Sequence, residues 1–169
     1  VIALDLVRTA ALIDLDEVSL IATFGAGTTG PQAEELLRPR GFTLGHYPQS
    51  FEFATIGGYA ATRSSGQASR GYGRFDDLVH ALRVATPAGE LDFGRAPASA
   101  AGPDLRQLFL GSEGALGVLT EVTVRIKPLP AATEYGAWTF PNFTAGADAF
   151  RELTQRGIRP TVLRLSDKS

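Results

Sequence analysis

The fold of this chain is decided by residues 111–127, which read GSEGALGVLTEVTVRIK. Apolar and polar side chains alternate from Val118 onwards, and this period of two predicts a half-buried β-strand. The predicted inner face carries Val118, Thr120, Val122, Val124 and Ile126, and Glu121, Arg125 and Lys127 point the other way. The glycines before the strand leave the backbone bare, so its donors and acceptors are open to a ligand.

Weaker signals on either side predict further strands and turns. Strands are predicted at Val1–Leu6, Ser19–Phe24 and Leu78–Thr86, the last with Leu78, His80, Leu82 and Val84 on one face and a hairpin partner at Glu90–Phe93. Asp14 and Asp16 are interpreted as a turn between the first two strands, and Ser64–Gly73 as an irregular loop. These assignments make a mixed α+β chain.

Helices are predicted at three places in the same part of the chain. Pro31 suits a first helical turn, and that helix ends before Gly41. A short helix follows the pair Gly57-Gly58, and Asp104 is the expected cap of another.

Prolines 128 and 130 stop the long strand, and the composition changes after them. We therefore expect two domains, 1–130 and 131–169. The second part begins with a predicted β-α-β unit: a strand at Tyr135–Phe140, a helix at Thr144–Arg156 and a strand at Thr161–Leu165.

Composition excludes several classes of function. The formal net charge of -2 gives no basic footprint for nucleic acid. Because the chain has no cysteine, disulfides, thiol catalysis and cysteine-bound metal are excluded. Methionine is also absent and the chain opens at Val1, within a predicted strand, so we expect a piece of a longer protein.

Two glycine-rich segments are the candidate ligand sites: residues 55–66, with Gly57-Gly58, and residues 111–117. A helix that starts at the glycine pair would offer free N–H groups to a phosphate. The alternative is that both segments are ordinary tight turns, and this alternative is stronger for Gly25-Ala26-Gly27. Neither segment has the lysine of a phosphate-binding loop or the strand–glycine–helix order of a dinucleotide fold.

Titratable residues give weaker signals. His80 is expected to be a structural histidine, and a ligand-facing role for His46 is the less favoured interpretation. The pairs Glu34-Glu35 and Asp76-Asp77 are expected to be solvated. Two distant histidines make no metal site, and no metal is predicted.

Several motifs in order resemble the alkyldihydroxyacetonephosphate synthase family, within the vanillyl-alcohol-oxidase-type FAD enzymes. They are GAGTTG at 25–30, GHYPQSFEFATIGG at 45–58, GYG at 71–73, GPD at 102–104, GSEGALGV at 111–118 and FPNF at 140–143. The resemblance implies the second half of a PCMH-type FAD-binding domain, mostly antiparallel sheet with helices, followed by the start of a cap domain.

The resemblance also implies which residues line the flavin, chiefly through backbone contacts. They are Gln49, Ser50, Thr55, Ile56, Gly57, Gly58, Thr62, Arg63, Ser64, Ser65, Glu113, Gly114, Leu116, Gly117, Val118 and Leu119. The expected partners are FAD, a small-molecule or lipid-precursor substrate and the remainder of the same polypeptide. The family's pyrophosphate loop and its catalytic tyrosine and histidines have no counterpart here, so the catalytic residues stay unknown.

The resemblance leaves the reaction open. The synthases perform ether-lipid alkyl transfer via a flavin adduct, and they carry an arginine where this chain has Ala98. An FAD-dependent 2-hydroxy-acid oxidase or dehydrogenase is therefore the alternative, and a non-catalytic folded module is an alternative of another class. The expected location is cytoplasmic, with peripheral membrane association left open.

Overall fold

The computed structural model describes residues 3–94, 96 and 100–167. Its main strands are β1 (Leu12–Asp16), β2 (Ile21–Gly25), β4 (Val79–Thr86), β5 (Gly89–Phe93) and β6 (Val118–Arg125). They form one sheet in the order β1-β2-β6-β4-β5, in which every neighbouring pair is antiparallel. A second small sheet pairs β3 (Phe42–Thr43) with β7 (Lys127–Pro128). The mixed α+β class with a mostly antiparallel sheet is confirmed.

Six α-helices accompany the strands in the described residues. They are α1 (Gly30–Leu37), α2 (Ile56–Thr62), α3 (Ser69–Tyr72), α4 (Phe75–Leu78), α5 (Arg106–Phe109) and α6 (Phe143–Gln155). The helix after Pro31, the helix at the glycine pair and the helix near residue 144 are confirmed. None of the helices in this part of the chain is long and apolar enough to span a bilayer.

One face of the large sheet forms the core, because the helices cover it. Phe24 of β2, Tyr59 of α2 and Phe75 of α4 are each no more than 1% exposed. Burial of a side chain of this size stabilises the fold by roughly 1.5–3 kcal/mol. Helix α2 packs on β6 and β2, so the glycine pair at its start is held against the centre of the sheet.

Two irregularities change the predicted faces of the central strands. The pairing skips Thr120 between Glu121 and Leu119, so the alternation changes phase there. Leu119 is therefore in the core, and Val118 and Thr120 are only half-buried, contrary to the prediction. A second skip, at His80, puts Val79 into the core and leaves His80 half-buried.

The amino-terminal prediction was wrong in two respects. Residues 3–6 form no strand, residues 7–9 make a single 3-10 turn, and residues 1 and 2 lie outside the described range. The predicted turn at Asp14 and Asp16 is strand β1. The turn follows it, because the carboxylate of Asp16 accepts the backbone N–H groups of Val18 and Ser19 at 2.9 and 2.8 Å.

Three other local predictions need correction. The loop predicted at Ser64–Gly73 contains α3. Helix α5 begins at Arg106, and Asp104 does not occupy its N-cap position, although its carboxylate accepts the Arg106 N–H at 3.1 Å. The strands predicted on either side of α6 are not formed. Both segments run without ladder partners in the described residues, and a strand exists only where a second edge pairs with it.

Candidate functional site

The first glycine segment starts helix α2, and its leading amides are already used. The N–H groups of Ile56 and Gly57 donate to carbonyls of residues 26–28 at 2.8 and 2.9 Å. The N–H of Gly58 donates to the hydroxyl of Thr55, the N-cap residue, at 3.1 Å. The expectation of free N–H groups for a phosphate at this helix start is therefore wrong, because the neighbouring loop satisfies them.

The two glycines of the pair have different surroundings. A Cβ on Gly57 would lie 2.7 Å from the Cβ of Ala26, so this glycine allows the helix to approach the sheet. A Cβ on Gly58 would meet only the Thr55 hydroxyl, at 3.3 Å. Packing explains Gly57, whereas Gly58 leaves a patch of half-exposed backbone that a ligand can approach closely.

The second glycine segment lies against the end of the same helix. The N–H of Gly111 donates to the carbonyl of Ala60 at 3.1 Å, and the N–H of Glu113 donates to that of Ala61 at 3.0 Å. The structure thus joins two segments that are some fifty residues apart in the sequence. The bond from Glu113 satisfies the carbonyl of Ala61 at the carboxyl end of the helix. The carbonyl of Ala60 accepts a second bond, from the N–H of Arg63 at 3.3 Å.

The loop after Gly111 is shaped by left-handed backbone conformations. Gly111, Glu113 and Gly114 have φ angles of 78°, 51° and 83°. Nothing lies within 4 Å of the position where a Cβ of Gly114 would stand, and both Glu113 and Leu116 are exposed. Of the predicted contacts in this segment, Leu119 has its side chain in the core, so it can offer a ligand only its backbone.

A buried histidine supports Ser64, which is one of the predicted flavin contacts. His46 is 1% exposed, and its Nε2 lies 3.0 Å from the hydroxyl of Ser64. Its ring packs against the rings of Tyr59 and Phe75 at centroid distances of 4.8 and 5.1 Å. Burial lowers the pKa of His46 to about 4, so the imidazole is neutral near pH 7. His46 therefore orients Ser64 and does not face a ligand.

The predicted contacts at residues 49–50 and 64–65 belong to adjacent loops. The N–H of Gln67 donates to the carbonyl of Tyr47 at 3.3 Å. A Cβ on Gly66 would lie 2.7 Å from the same carbonyl oxygen. Gln49, Ser50 and Ser65 are exposed on these loops, and Thr62 is exposed at the end of α2.

Arg63 is the predicted contact whose side chain is most firmly engaged by the protein. Its guanidinium donates to the carbonyl of Leu110 at 3.0 Å and to the carboxylate of Asp76 at 3.0 Å. It also donates to the backbone and side-chain oxygens of Gln107, at 3.1 and 2.9 Å. The side chain of Arg63 therefore holds protein segments together.

Two carboxylates expected to be solvated are instead structural. Glu34 is 5% exposed and accepts bonds from the hydroxyl of Thr43 and from the N–H groups of Leu44 and Gly45, at 2.9, 3.1 and 3.2 Å. Its position on the buried stripe Gly30, Ala33, Glu34 and Leu37 was visible in the sequence as helical spacing. The side chain of Asp76 is 12% exposed and pairs with Arg63 and Arg74.

The remaining candidates have structural explanations. Cβ atoms on Gly25 and Gly27 would collide with the carbonyls of Thr9 and Leu6, so these glycines serve packing, as expected. Burial, with Arg106 and Arg125 nearby, lowers the pKa of His80. Across residues 3–94, 96 and 100–167, no three metal-binding side chains lie close enough together to hold an ion.

The arrangement fits an extended ligand that is recognised by backbone. The joined glycine segments leave open space beside the backbone at Gly58 and Gly114, where side chains would otherwise stand. Ser64, Ser65 and Thr62 add hydroxyl groups at the same end of α2. FAD has this extended shape, and its many polar atoms match such a lining.

Comparisons with known proteins agree with this assignment. Residues 1–92 match the FAD binding domain, and residues 129–169 match the C-terminal domain of FAD linked oxidases. The alkyldihydroxyacetonephosphate synthase of Caenorhabditis elegans is 40% identical over 168 residues, which are 99% of this chain and 28% of that protein. The mitochondrial D-lactate dehydrogenase [cytochrome] of Arabidopsis thaliana is 39% identical over 117 residues, which are 68% of this chain and 21% of that protein.

A solved structure of an alkyldihydroxyacetonephosphate synthase superposes with a TM-score of 0.85 at 35% identity. The superposition covers 94% of this chain and 28% of the solved chain. The chain therefore spans less than a third of the length of these relatives. The match to the FAD binding domain covers more than half of the chain. The chain belongs to the FAD-linked oxidase family and carries part of its FAD-binding domain.

Proposed function

We propose that this chain forms one side of the FAD site in an enzyme like alkyldihydroxyacetonephosphate synthase. Such an enzyme exchanges the acyl chain of an acyl-dihydroxyacetone-phosphate for a fatty alcohol. The observation that carries the proposal is that hydrogen bonds join the two glycine segments at α2, while the space beside the backbone of Gly58 and Gly114 stays open. The synthase similarity over nearly the whole chain supports the choice of reaction.

FAD would supply the electron-accepting ring of this reaction, and the chain's own residues would bind and orient it. The side chains of Ser50, Ser64 and Ser65 offer hydroxyl groups, and Gly58 and Gly114 leave open space beside the backbone. Gly117 packs against β4, because a Cβ there would lie 2.8 Å from the carbonyl oxygen of Ala85. The left-handed Glu113 turns the loop so that its carboxylate is exposed beside the end of α2. The remaining proposed contacts are Gln49, Thr55, Ile56, Gly57, Thr62, Leu116, Val118 and Leu119. Arg63 is not among them, because its guanidinium donates to oxygens of the protein itself.

A 2-hydroxy-acid oxidase or dehydrogenase is the second candidate function. Ala98 favours it, because the synthases carry an arginine at that place in the sequence. Ala98 lies outside the described residues, so this support comes from the sequence alone. Both candidates use the same FAD-binding segments and differ in the substrate they take.

Two further features belong to the proposal. We place a domain boundary near residue 130, and the match to the C-terminal domain of FAD linked oxidases, which begins at residue 129, supports this position. A cytoplasmic location, with or without peripheral membrane contact, stays a prediction.

The test is an anaerobic visible spectrum of the flavin-loaded full-length protein during addition of substrates. A change on adding an acyl-dihydroxyacetone-phosphate, with no response to 2-hydroxy acids, is the expected result. Lasting bleaching by a 2-hydroxy acid would select the oxidase or dehydrogenase instead. A purified protein that carries no flavin and takes up none would leave only the non-catalytic module.

A further inference from the structure

Arg63 occupies an unusual backbone position at the end of α2. Its φ angle is 49°, in the left-handed region that non-glycine residues rarely adopt. Such a conformation is strained for a residue with a Cβ, and it persists where surrounding contacts determine it. The contacts of the Arg63 side chain hold its backbone in this conformation.

The guanidinium of Arg63 reaches two other segments. It donates to the backbone carbonyl of Leu110 and to both oxygens of Gln107, all within 2.9–3.1 Å. On its other side it pairs with Asp76 of α4 at 3.0 Å. These contacts use both arms of the planar fork and its Nε, a geometry that lysine cannot reproduce.

Residues 107–110, which accept hydrogen bonds from Arg63, lead directly into the second glycine segment. A Cβ on Gly111 would lie only 2.9 Å from the Nε of Arg63, so the side chain covers this glycine closely. Just beyond, the N–H groups of Gly111 and Glu113 donate to α2. The arginine and these backbone bonds together set the position of one glycine segment relative to the other.

We propose that Arg63 is a positioning residue of the FAD site, which clamps the second glycine loop onto helix α2 and does not itself bind FAD. This inference rests on the proposed function, because it assigns the role of the clamp in flavin binding. Its charge is balanced by Asp76, and its N–H groups are directed at protein oxygens. The side chain therefore affects the flavin through the geometry of residues 111–117.

Three variants of the whole protein test this role. Arg63→Lys keeps the positive charge near Asp76 but loses the fork to Leu110 and Gln107. Gln107→Ala removes one exposed partner of Arg63 and leaves the arginine in place. Arg74→Lys is the matched control, because Arg74 also pairs with Asp76, at 3.1 Å, and has no bond to residues 107–111.

The measurements are the dissociation constant for FAD added to flavin-free protein and the visible spectrum of the bound flavin. We expect Arg63→Lys to weaken FAD binding about tenfold and Gln107→Ala about threefold, with both spectra shifted. Arg74→Lys should bind FAD as the unmodified protein does. If Arg63→Lys fails to fold, Gln107→Ala still decides the matter, because its position is exposed.

Several results would overturn the inference. Unchanged FAD affinity and spectrum in Gln107→Ala, or in a folded Arg63→Lys, would show that Arg63 does not position the second glycine segment. The proposed function would not be affected by this result. A loss in Arg63→Lys that disappears in high salt, with Gln107→Ala unaffected, would instead indicate a direct contact between the arginine and the FAD phosphates. Failure of the unmodified protein to bind FAD would overturn the proposed function and the inference together.

Discussion

The imidazole Nε2 of His46 lies 3.0 Å from the hydroxyl oxygen of Ser64, in a site walled by the rings of Tyr59 and Phe75. The histidine is buried and the serine stands half-buried in the loop after α2. This pair links the core of the domain to the loop that we expect to contact the flavin. It also makes the stability of the fold sensitive to pH.

The first prediction concerns that pH dependence. Burial lowers the pKa of His46 to about 4 in the folded protein, whereas the ordinary value for histidine is 6.5, so the unfolded chain binds more protons between pH 4 and pH 6.5. The free energy of unfolding therefore keeps its full value above about pH 6.5. It falls as the pH falls towards 4, by an amount on the order of 3 kcal/mol in total. Urea unfolding between pH 7 and 5.5 should show the loss.

His46→Gln is the control for this measurement, because glutamine can still bond to Ser64 and does not titrate. Its free energy of unfolding should fall less over the same pH range. His80, whose pKa is also lowered, is expected to leave a residual slope that His80→Gln reduces. An equal slope in the unmodified protein and in His46→Gln would contradict the assignment.

The second prediction separates the two glycines that open α2. Gly57→Ala places a Cβ 2.7 Å from that of Ala26, so we expect the free energy of unfolding to fall by about 1–3 kcal/mol. Gly58→Ala meets only the Thr55 hydroxyl, and alanine favours a helix by roughly 1 kcal/mol, so stability should hold or rise.

FAD affinity gives the second readout for the same pair. Gly58→Ala should weaken FAD binding in a protein that is as stable as the original, because the new methyl group fills the bare patch. Thermal unfolding of the flavin-free protein, measured beside FAD titration, separates the two effects. Unaltered FAD affinity in Gly58→Ala would remove Gly58 from the proposed site.

The third prediction concerns the buried carboxylate of Glu34. Glu34→Ala removes the acceptor of the Thr43 hydroxyl and of the Leu44 N–H, which costs about 1–3 kcal/mol or more. The N–H of Gly45 keeps the Thr43 hydroxyl as an acceptor, at 3.0 Å. Glu35→Ala, on the exposed side of the same helix, should change stability by less than about 0.5 kcal/mol. Equal chemical-denaturation midpoints for the two variants would show that Glu34 is solvated after all.

Much of the fold was accessible from local patterns. The alternation in residues 118–126 predicted the central strand, and Pro31 and the pair Gly57-Gly58 marked helix starts correctly. Helix α1 ends at Leu37, and Gly41 ends the 3-10 turn that follows it. The strands expected beside α6 failed, because alternation shows only that a segment suits a strand. Whether the strand forms depends on a neighbouring edge, which lies elsewhere in the chain.

The candidate site divides in the same way. Glycine runs and recognisable motifs identified the segments at 55–66 and 111–117, since a bare backbone is a property of the residues themselves. Local sequence could not show that the first amides of α2 are taken by residues 26–28, or that Arg63 is held by Leu110 and Gln107. Those partners are distant in the sequence.

The sequence alone therefore determined the fold class and the glycine-rich segments of the proposed flavin site, because these follow from residue types and short spacings. The family followed from the resemblance of its motifs. Only the tertiary structure decided which groups in those segments are free. A skipped residue at Thr120 moved Leu119 into the core, and burial turned His46 and Glu34 into supports for nearby loops. Hydrogen bonds and burial are shared between distant residues, so they are set only when the chain has folded.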